Sequence, residues 1–307
     1  MATPVTSLSV SIGSIRMRNP VMTASGTFGY GPEYADLVDL NQLGALVVKG
    51  IRSVPTTGNA TPRTVEVASG LINAIGLPGP GVEGFVNDYM PFLRGYDVPV
   101  IVNIWGKTTE EYAEVAARLD AVPGIAGLEV NVSCPNIKEG SQLFGTNVAL
   151  FEKVVRAIRA ATRLPVIPKL APMVNDITEF ARCAEACGAD AISLINSVPA
   201  MAVDIETRRA KLSNITGGLT GPAIKPIALR LVWQAARAVK IPVIAMGGIS
   251  RAEDAIEYFI VGARAVAVGT ASFTDPGTAL RVVAGIEDYL KRHGLKSIDQ
   301  LVGTFQA

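Results

Sequence analysis

Eight short apolar runs, each followed by a stretch with helical periodicity, limit the folds that this chain can adopt. They cover residues 21–24, 45–49, 100–104, 128–131, 166–170, 191–195, 243–246 and 265–268. Near-continuous apolar strands separated by helices are typical of a parallel sheet that is covered on both faces. Eight units in strict alternation predict an α/β fold of the TIM (β/α)8 barrel type, with an open doubly wound sheet as the alternative.

Helix-start signals support this alternation. Polar residues that can cap a helix N-terminus precede four helical stretches: Thr108, Asp176, Ser250 and Asp275. The first three are each followed three residues later by Glu, which is the capping-box spacing, and Asp275 is followed by Pro. We therefore expect helices to begin at these four positions.

Two segments exceed what a minimal barrel needs. Residues 8–17 alternate apolar and polar side chains across Gly13 and Ser14, which predicts an N-terminal hairpin beneath the barrel. Residues 51–99 form a long insertion between strands 2 and 3 that contains NAIGLPGPGVEG at 73–84. Long excursions after barrel strands usually build the mouth of the site. No repeat or linker is evident, so we expect a single domain over residues 1–307.

Composition excludes several classes of protein. The 307 residues include 28 basic and 27 acidic side chains, a net charge of +1 that does not favour nucleic-acid or membrane-surface binding. No apolar run approaches membrane-span length, and the first residues lack a signal-peptide pattern. Three cysteines without paired spacing indicate a reducing compartment, so we expect a cytoplasmic protein.

Metal ligands are scarce in the sequence. The only histidine, His293, lies at a predicted helix C-terminus before Gly294. Cys183 and Cys187 are four residues apart on a predicted helix, where packing is the expected role because no other Cys or His is nearby. We expect no metal site, and the cysteines are too few to hold an iron–sulfur cluster and leave a catalytic thiol.

Polar residues and glycines recur where the predicted strands end: Ser25, Lys49, Asn103, Asn131, Lys169, Asn196, Ser197, Gly247, Gly248, Gly269 and Thr270. Barrel chemistry gathers at these carboxyl ends, and buried Lys and Asn need partners, so the set predicts a polar ligand. Glycines after the last two strands fit a phosphate. Lys169 fits either a Schiff-base lysine or a charge that stabilises a reduced flavin, and periodicity does not separate these two roles.

Cys134 lies just beyond a predicted strand, in a loop that continues through Gly140 and Gly145 to a helix near Asn147. A reactive thiol would suit such a loop, which can be exposed, firmly based and able to act as a lid. A small buried residue in a tight turn is the alternative, since free Cys is often buried.

Five motifs together resemble the dihydroorotate dehydrogenases. They are NVSCPN at 131–136, NAIGLPGPG at 73–81, PKLAP at 168–172, INS at 195–197 and MGGI at 246–249. The resemblance extends from TASGTFGYG at 23–31 to VGTAS at 268–272, so it covers essentially the whole chain. It implies an FMN-dependent TIM barrel that oxidises dihydroorotate to orotate in pyrimidine synthesis.

The subgroup is indicated by Cys134, because class 1 enzymes have Cys where class 2 enzymes have Ser. The sequences around Asn73 and Cys134 are similar to class 1B, which implies a heterotetramer built on a homodimer of this chain. A partner subunit with FAD and a [2Fe–2S] cluster would pass electrons to NAD. The remaining alternatives are a fumarate-dependent class 1A enzyme, another pyrimidine-reducing flavoenzyme, or a Schiff-base lyase that uses Lys169.

The resemblance also implies residue roles. Cys134 would be the general base, and its loop would be the lid. Substrate would contact Lys49, Asn73, Ala74, Ile75, Gly76, Leu77, Asn131, Asn196 and Ser197. FMN would contact Ser25, Lys49, Gly50, Asn103, Asn131, Lys169, Ile195, Gly221, Gly247, Gly248, Gly269 and Thr270.

Overall fold

A barrel of eight parallel strands forms the centre of the computed structural model, which describes residues 7–132 and 144–306. The strands of the described residues are β1 Val10–Ile12, β2 Ile15–Met17, β3 Val21–Thr23, β4 Leu46–Ile51, β5 Thr64–Val67, β6 Gly70–Asn73, β7 Val100–Ile104, β8 Ile125–Asn131, β9 Val166–Leu170, β10 Ile192–Leu194, β11 Val198–Met201, β12 Val203–Asp204, β13 Arg209–Ala210, β14 Thr216–Thr220, β15 Val243–Met246 and β16 Ala265–Val268.

The helices pack around these strands. They are α1 Pro32–Ala35, α2 Gly81–Gly84, α3 Met90–Leu93, α4 Thr109–Asp120, α5 Val148–Ala161, α6 Ile177–Ala186, α7 Lys225–Ala238, α8 Ala252–Ile260, α9 Ala271–Thr274 and α10 Thr278–Arg292. A π-helical turn, Phe85–Tyr89, joins α2 to α3, and short 3-10 turns cover Leu40–Gln42, Pro222–Ile224 and Ile298–Gln300.

The eight predicted apolar runs form the barrel, in the order β3-β4-β7-β8-β9-β10-β15-β16. An isolated parallel bridge between Met22 and Ala45 closes it, and the Val47 N–H donates to Thr23 Oγ1 at 2.9 Å across the same seam. Strands β3, β7, β9, β10, β15 and β16 are buried along their whole length, as strands covered on both faces must be. The TIM-barrel prediction is confirmed.

Two of the four predicted helix starts are confirmed. Thr108 Oγ1 accepts from the Glu111 N–H at 3.2 Å, and Asp176 Oδ1 accepts from the Thr178 N–H at 2.8 Å. Each caps an end where the first N–H groups lack partners within the helix.

The other two predicted starts were wrong. Helix α8 is capped by Arg251 rather than Ser250, because the buried Asp254 carboxylate accepts from the N–H groups of both residues. Helix α10 begins at Thr278, since the Asp275 side chain accepts from the Gly277 N–H in a turn before the helix.

The predicted N-terminal hairpin is confirmed as β1 and β2, paired from Val10 opposite Met17. It lies below the barrel, where a Cβ placed on Gly127 would be 2.8 Å from Cδ1 of Ile15. Gly127 belongs to the amino-terminal half of β8, so the hairpin covers the end of the barrel opposite the strand carboxyl ends.

The predicted insertion contributes the β5–β6 hairpin to a second sheet. This four-stranded antiparallel sheet has the order β11-β14-β6-β5 and packs over a small apolar cluster of Ile72, Ala74 and Leu212. Strands β11 and β14 come from a second excursion, residues 196–221 between β10 and α7, which the sequence analysis missed. Its short strands have no strong periodicity, and the glycine-containing β14 pairs with β6, which is distant in sequence.

Candidate active site

A cavity opens at the carboxyl ends of the barrel strands, where the second sheet forms one of its walls. Most of the residues predicted to contact substrate or cofactor line it: Ser25, Lys49, Gly50, Asn73, Ile75, Gly76, Leu77, Asn103, Asn131, Lys169, Ile195, Asn196, Ser197, Gly221, Gly247, Gly248, Gly269 and Thr270. Two predicted residues are not among them. Ala74 is fully buried behind the wall, and Cys134 lies outside the described residues.

The floor of the cavity is a buried polar network around Lys169. Its ammonium donates to Ser25 Oγ at 3.0 Å and lies 3.7 Å from Glu129 Oε2. The Lys169 and Glu129 side chains are only 7% and 4% exposed. Asn103 Nδ2 donates to Glu129 Oε2 at 2.7 Å, and Ser193 Oγ donates to Glu129 Oε1 at 2.8 Å. A barrel interior can hold two charges when they are paired with each other and both carboxylate oxygens accept hydrogen bonds.

Glycines form one end of the cavity. Gly221, Gly247 and Gly248 have φ angles of 93°, 131° and 72°, in the region that favours glycine. A Cβ on Gly248 would be 2.8 Å from Lys225 Cβ and 3.0 Å from the Gly221 carbonyl oxygen, so a side chain does not fit there. Tyr258 supports this end by donating its hydroxyl to the Gly247 carbonyl at 2.7 Å. Such bare backbone is suited to a phosphate group.

The second sheet supplies the opposite wall. Asn73, at the end of β6, donates from Nδ2 to the Gly218 carbonyl of β14 at 3.2 Å. The segment after it is held by Thr56, whose hydroxyl donates to the Leu77 carbonyl at 2.6 Å. Asn196 Nδ2 donates to Asn131 Oδ1 at 3.1 Å, which joins the wall to the barrel rim. The wall therefore presents amide groups from three separate segments to one space.

Lys49 lies half-buried between floor and wall. Burial lowers the pKa of its ammonium from the usual lysine value, the positive charge of Arg63 lowers it further, and Glu33 acts in the opposite direction. A half-buried cation beside several amides is suited to a small anionic ring compound.

Two described residues flank the segment that contains Cys134. On one side Asn131 lines the cavity, and its carbonyl accepts from the Tyr112 hydroxyl at 2.6 Å. On the other side Phe144 is buried edge-on against the Tyr112 ring, with centroids 5.8 Å apart. Asn131 and Phe144 therefore both contact the same tyrosine on α4.

The remaining cysteines lie away from the cavity, on α6 and at its end. Burial raises the pKa of the Cys183 thiol to about 12, and it raises the pKa of Cys187 as well. Across residues 7–132 and 144–306, no group of three or more His, Cys, Asp or Glu side chains could hold a metal ion. No helix in the same part of the chain is long and apolar enough to cross a bilayer.

Some residues of the site were missed from the sequence. Glu129 was not predicted, although Glu129 and Asn131 are two apart in a strand and therefore face the same side. That spacing could have identified it. Further lining residues come from the second sheet and the rim, and no local signal marked them: Thr64, Leu71, Thr220 and Phe273.

The barrel, the charged floor and the glycine end define a TIM-barrel enzyme whose cavity fits a phosphate-bearing ligand beside a small polar one.

The dihydroorotate dehydrogenase family model matches residues 7–290. The chain is 53% identical to the catalytic subunit of dihydroorotate dehydrogenase B (NAD⁺) from Trichlorobacter lovleyi, over 97% of this chain and 98% of that protein. Identity to the same subunit from Desulforudis audaxviator is 54%, over 96% of each chain. The chain therefore belongs to the dihydroorotate dehydrogenase family, as its motifs predicted. Members of this family are oxidoreductases that oxidise dihydroorotate to orotate in pyrimidine synthesis.

Proposed function

We propose that the chain is the FMN-binding catalytic subunit of an NAD-linked dihydroorotate dehydrogenase. One observation carries the proposal. Every residue that the family resemblance assigned to FMN lines a single cavity, together with the assigned substrate residues other than Ala74. These residues come from all parts of the chain between Ser25 and Thr270, so their convergence is a property of the fold and not of any one motif.

The cavity fits FMN on two counts. Gly221, Gly247 and Gly248 leave bare backbone at one end, where a Cβ would collide with neighbouring atoms and a phosphate could approach closely. Lys169 and Asn103 form a charged and amide-bearing floor for the polar edge of the flavin ring. When bound, FMN would supply a hydride acceptor for C6 of dihydroorotate.

The residues on the wall would bind and orient the substrate. Lys49 supplies positive charge for the carboxylate. The side-chain amides of Asn73, Asn131 and Asn196 offer both donors and acceptors to the ring amides of a pyrimidine. Holding the ring in one orientation places C5 and C6 in a fixed relation to the floor, which is the main contribution that positioning residues make to rate.

Cys134 would act as general base and take the proton from C5 of dihydroorotate. It follows the cavity residue Asn131 by three positions in the sequence. A free thiol has a pKa of about 8.5, so an unperturbed Cys134 would be mostly protonated at neutral pH. Turnover limited by proton removal should then rise with pH through that region.

A partner subunit is proposed because the relatives from T. lovleyi and D. audaxviator are each named as a catalytic subunit. With three cysteines in the sequence, this chain cannot supply four thiolates for a [2Fe–2S] cluster. We place FAD and the cluster on the partner, which would pass electrons to NAD in a heterotetramer built on a homodimer of this chain. The cytoplasm is the proposed compartment, since reducing conditions keep Cys183 and Cys187 as thiols.

The first test is an anaerobic absorbance spectrum of the purified chain, before and after addition of dihydroorotate. We expect a flavin band that bleaches on addition. A yellow protein that stays yellow would contradict dihydroorotate as the substrate and keep the flavin. A protein that remains colourless after incubation with FMN would contradict the flavin itself.

The general base is tested by Cys134→Ser. Loss of a general base typically costs about 10²–10⁴-fold in rate, so we expect turnover to fall within that range while the flavin band persists. Cys183→Ser is the matched control, because that thiol lies on α6 away from the cavity and should leave turnover unchanged. Unchanged turnover in Cys134→Ser would refute its role.

The electron acceptor needs its own assay. The isolated chain should be reduced by dihydroorotate yet fail to reduce NAD until the partner subunit is added. Rapid turnover of the isolated chain with fumarate would instead identify a fumarate-dependent enzyme.

A Schiff-base lyase that uses Lys169 is the alternative from another reaction class. Such a lysine must be free to act as a nucleophile, whereas the Lys169 side chain lies 3.7 Å from the Glu129 carboxylate and donates to Ser25 Oγ at 3.0 Å. Borohydride in the presence of a carbonyl substrate should therefore leave Lys169 unmodified.

A further inference from the structure

Glu129 is a buried carboxylate to which none of the roles above assigns a function. It lies in the middle of the barrel floor, where four adjacent strands each contribute one polar side chain: Asn103 from β7, Glu129 from β8, Lys169 from β9 and Ser193 from β10. The strand register pairs Asn103 with Glu129 and Lys169 with Ser193. The barrel itself therefore sets this arrangement.

Both carboxylate oxygens of Glu129 accept hydrogen bonds. Its Oε2 accepts from Asn103 at 2.7 Å, and its Oε1 accepts from Ser193 at 2.8 Å. An amide N–H₂ can only donate, so the oxygen facing Asn103 must accept. The nearby ammonium of Lys169 supplies the opposite charge that a buried carboxylate needs.

The geometry between Glu129 and Lys169 leaves the ammonium facing the cavity. Nζ and Oε2 are 3.7 Å apart, which is close enough for strong attraction but too far for a normal hydrogen bond. The ammonium instead donates to Ser25 at 3.0 Å, and its remaining donors are available to a ligand. Among the described residues, only Glu129 has a carboxylate within ion-pair distance of the Lys169 ammonium.

We propose that Glu129 is a positioning residue that keeps Lys169 protonated and fixed beneath the cavity. Its own oxygens are committed to Asn103 and Ser193, so it holds the ammonium by charge rather than by a direct hydrogen bond. Without it, a lysine that is 7% exposed has no counter-charge, and the neutral amine is favoured. The consequence for a bound flavin, the loss of the charge near its ring, rests on the proposed FMN site.

The first test does not depend on FMN. Lys169 and the exposed Lys153 of α5 are labelled in one flavin-free sample by a small amine-acylating reagent across a pH series, and the products are quantified by mass spectrometry. Only the neutral amine reacts. In Glu129→Gln the ratio of Lys169 to Lys153 labelling near pH 8 should rise by at least about tenfold, the ratio that corresponds to one unit of proton affinity.

Ser193→Ala is the control for altered packing and reagent access. It removes a hydrogen bond to the same carboxylate but keeps the charge, so its labelling ratio should stay close to that of the unmodified protein. The proposal is overturned if Glu129→Gln leaves the ratio unchanged, or if Ser193→Ala raises it equally.

The second test uses the flavin-loaded protein and its reduction potential as a function of pH. If Glu129 acts through Lys169, Glu129→Gln should lower the potential at alkaline pH and add a pH-dependent step that disappears in the Glu129→Gln/Lys169→Met double variant. Glu129→Asp, which keeps the charge, should restore most of the potential.

The opposite sign would overturn the proposal. If Glu129 acted on the ring by its own negative charge, its removal would raise the potential at every pH, with or without Lys169. If the unmodified protein binds no FMN at all, the proposed cofactor fails, and the labelling result still decides the role of Glu129.

Discussion

The floor and the wall of the cavity are built on different principles. Floor residues such as Asn103, Glu129 and Lys169 extend from buried barrel strands, and the strand register places Asn103 beside Glu129. The wall is made of excursions, in which Asn73 and Ser197 are only partly buried and depend on a small sheet formed by two distant segments. The floor therefore has fixed geometry, whereas the wall can differ among barrels without disturbing the strands.

This contrast assigns different parts of the proposed reaction to the two regions. A cofactor that stays bound is suited to the fixed floor and its glycine end. A substrate that enters and leaves is suited to a wall that is less deeply buried and has its own small apolar cluster. Substitutions in the floor should therefore affect folding and flavin binding, and those in the wall should affect substrate affinity.

The largest effect is expected from Lys169→Met in the floor. It leaves the buried Glu129 without its counter-charge, and breaking a buried ion pair typically costs about 3–5 kcal/mol. The measurement is urea unfolding beside Lys153→Met, an exposed helix position where a change of less than about 0.5 kcal/mol is expected. Equal stability of the two variants would contradict a charge-paired floor.

The next largest effect is expected at the glycine end of the cavity. Gly248→Ala combines a φ of 72° with a Cβ only 2.8 Å from Lys225 Cβ, so it should lower stability by about 1–3 kcal/mol and weaken FMN binding. Gly294→Ala is the matched control, since its φ is 67° but no atom lies within 4 Å of the added Cβ. FMN titration should show weaker binding in Gly248→Ala than in Gly294→Ala. An equal loss of FMN affinity in both variants would assign the effect to φ alone.

In the wall, Asn73→Ala should weaken orotate binding by about tenfold, the equivalent of one good hydrogen bond, without changing FMN affinity. Thr216→Ala on β14 is an exposed control on the same sheet and should change neither affinity. Orotate titration of the flavin spectrum measures orotate affinity, and FMN titration of the flavin-free protein measures FMN affinity. Loss of FMN from Asn73→Ala would remove the distinction between floor and wall.

The smallest effect concerns Lys49, which lies between the two regions. Its ammonium must be protonated to attract a carboxylate, so orotate affinity should fall as pH rises through a pKa that lies below the usual lysine value. Glu33→Gln removes a charge that raises this pKa, so the fall should move to lower pH. Arg63→Gln removes a charge that lowers it, so the fall should move to higher pH. Shifts in the same direction would show that Lys49 does not control the profile.

Sequence reasoning reached the floor more readily than the wall, for a physical reason. Each barrel strand carries its own apolar signal, and strands of one parallel sheet place their carboxyl ends together, so Lys169 and Asn103 could be brought to one rim from the sequence alone. The spacing of Glu129 from Asn131 marks the side of β8 on which it lies, but nothing within that strand shows that Lys169 of the next strand, β9, lies beside it.

Much of the wall was reached only through family resemblance, although Asn196 and Ser197 were also identified as polar residues at a strand end. Residues 73–77 have no periodicity that points them at the cavity. Strand β14 pairs with a hairpin far away in sequence, and β11 pairs with β14. Ala74 illustrates the limit of the resemblance. It lies within a segment whose neighbours line the cavity, yet it packs with Ile72 and Leu212 behind the wall.

The pairing of β6 with β14 has a consequence for how the enzyme is made. Asn73 and its partner Gly218 are 145 residues apart, and closing so long a loop is entropically unfavourable until other contacts have drawn its ends together. Barrel strands β4 and β10, which precede the two excursions, must first take their places. The substrate wall would then form only after these barrel strands are in place. Because β15 and β16 follow β14 in the sequence, a chain that ends before the wall would lack both a closed barrel and a pyrimidine site.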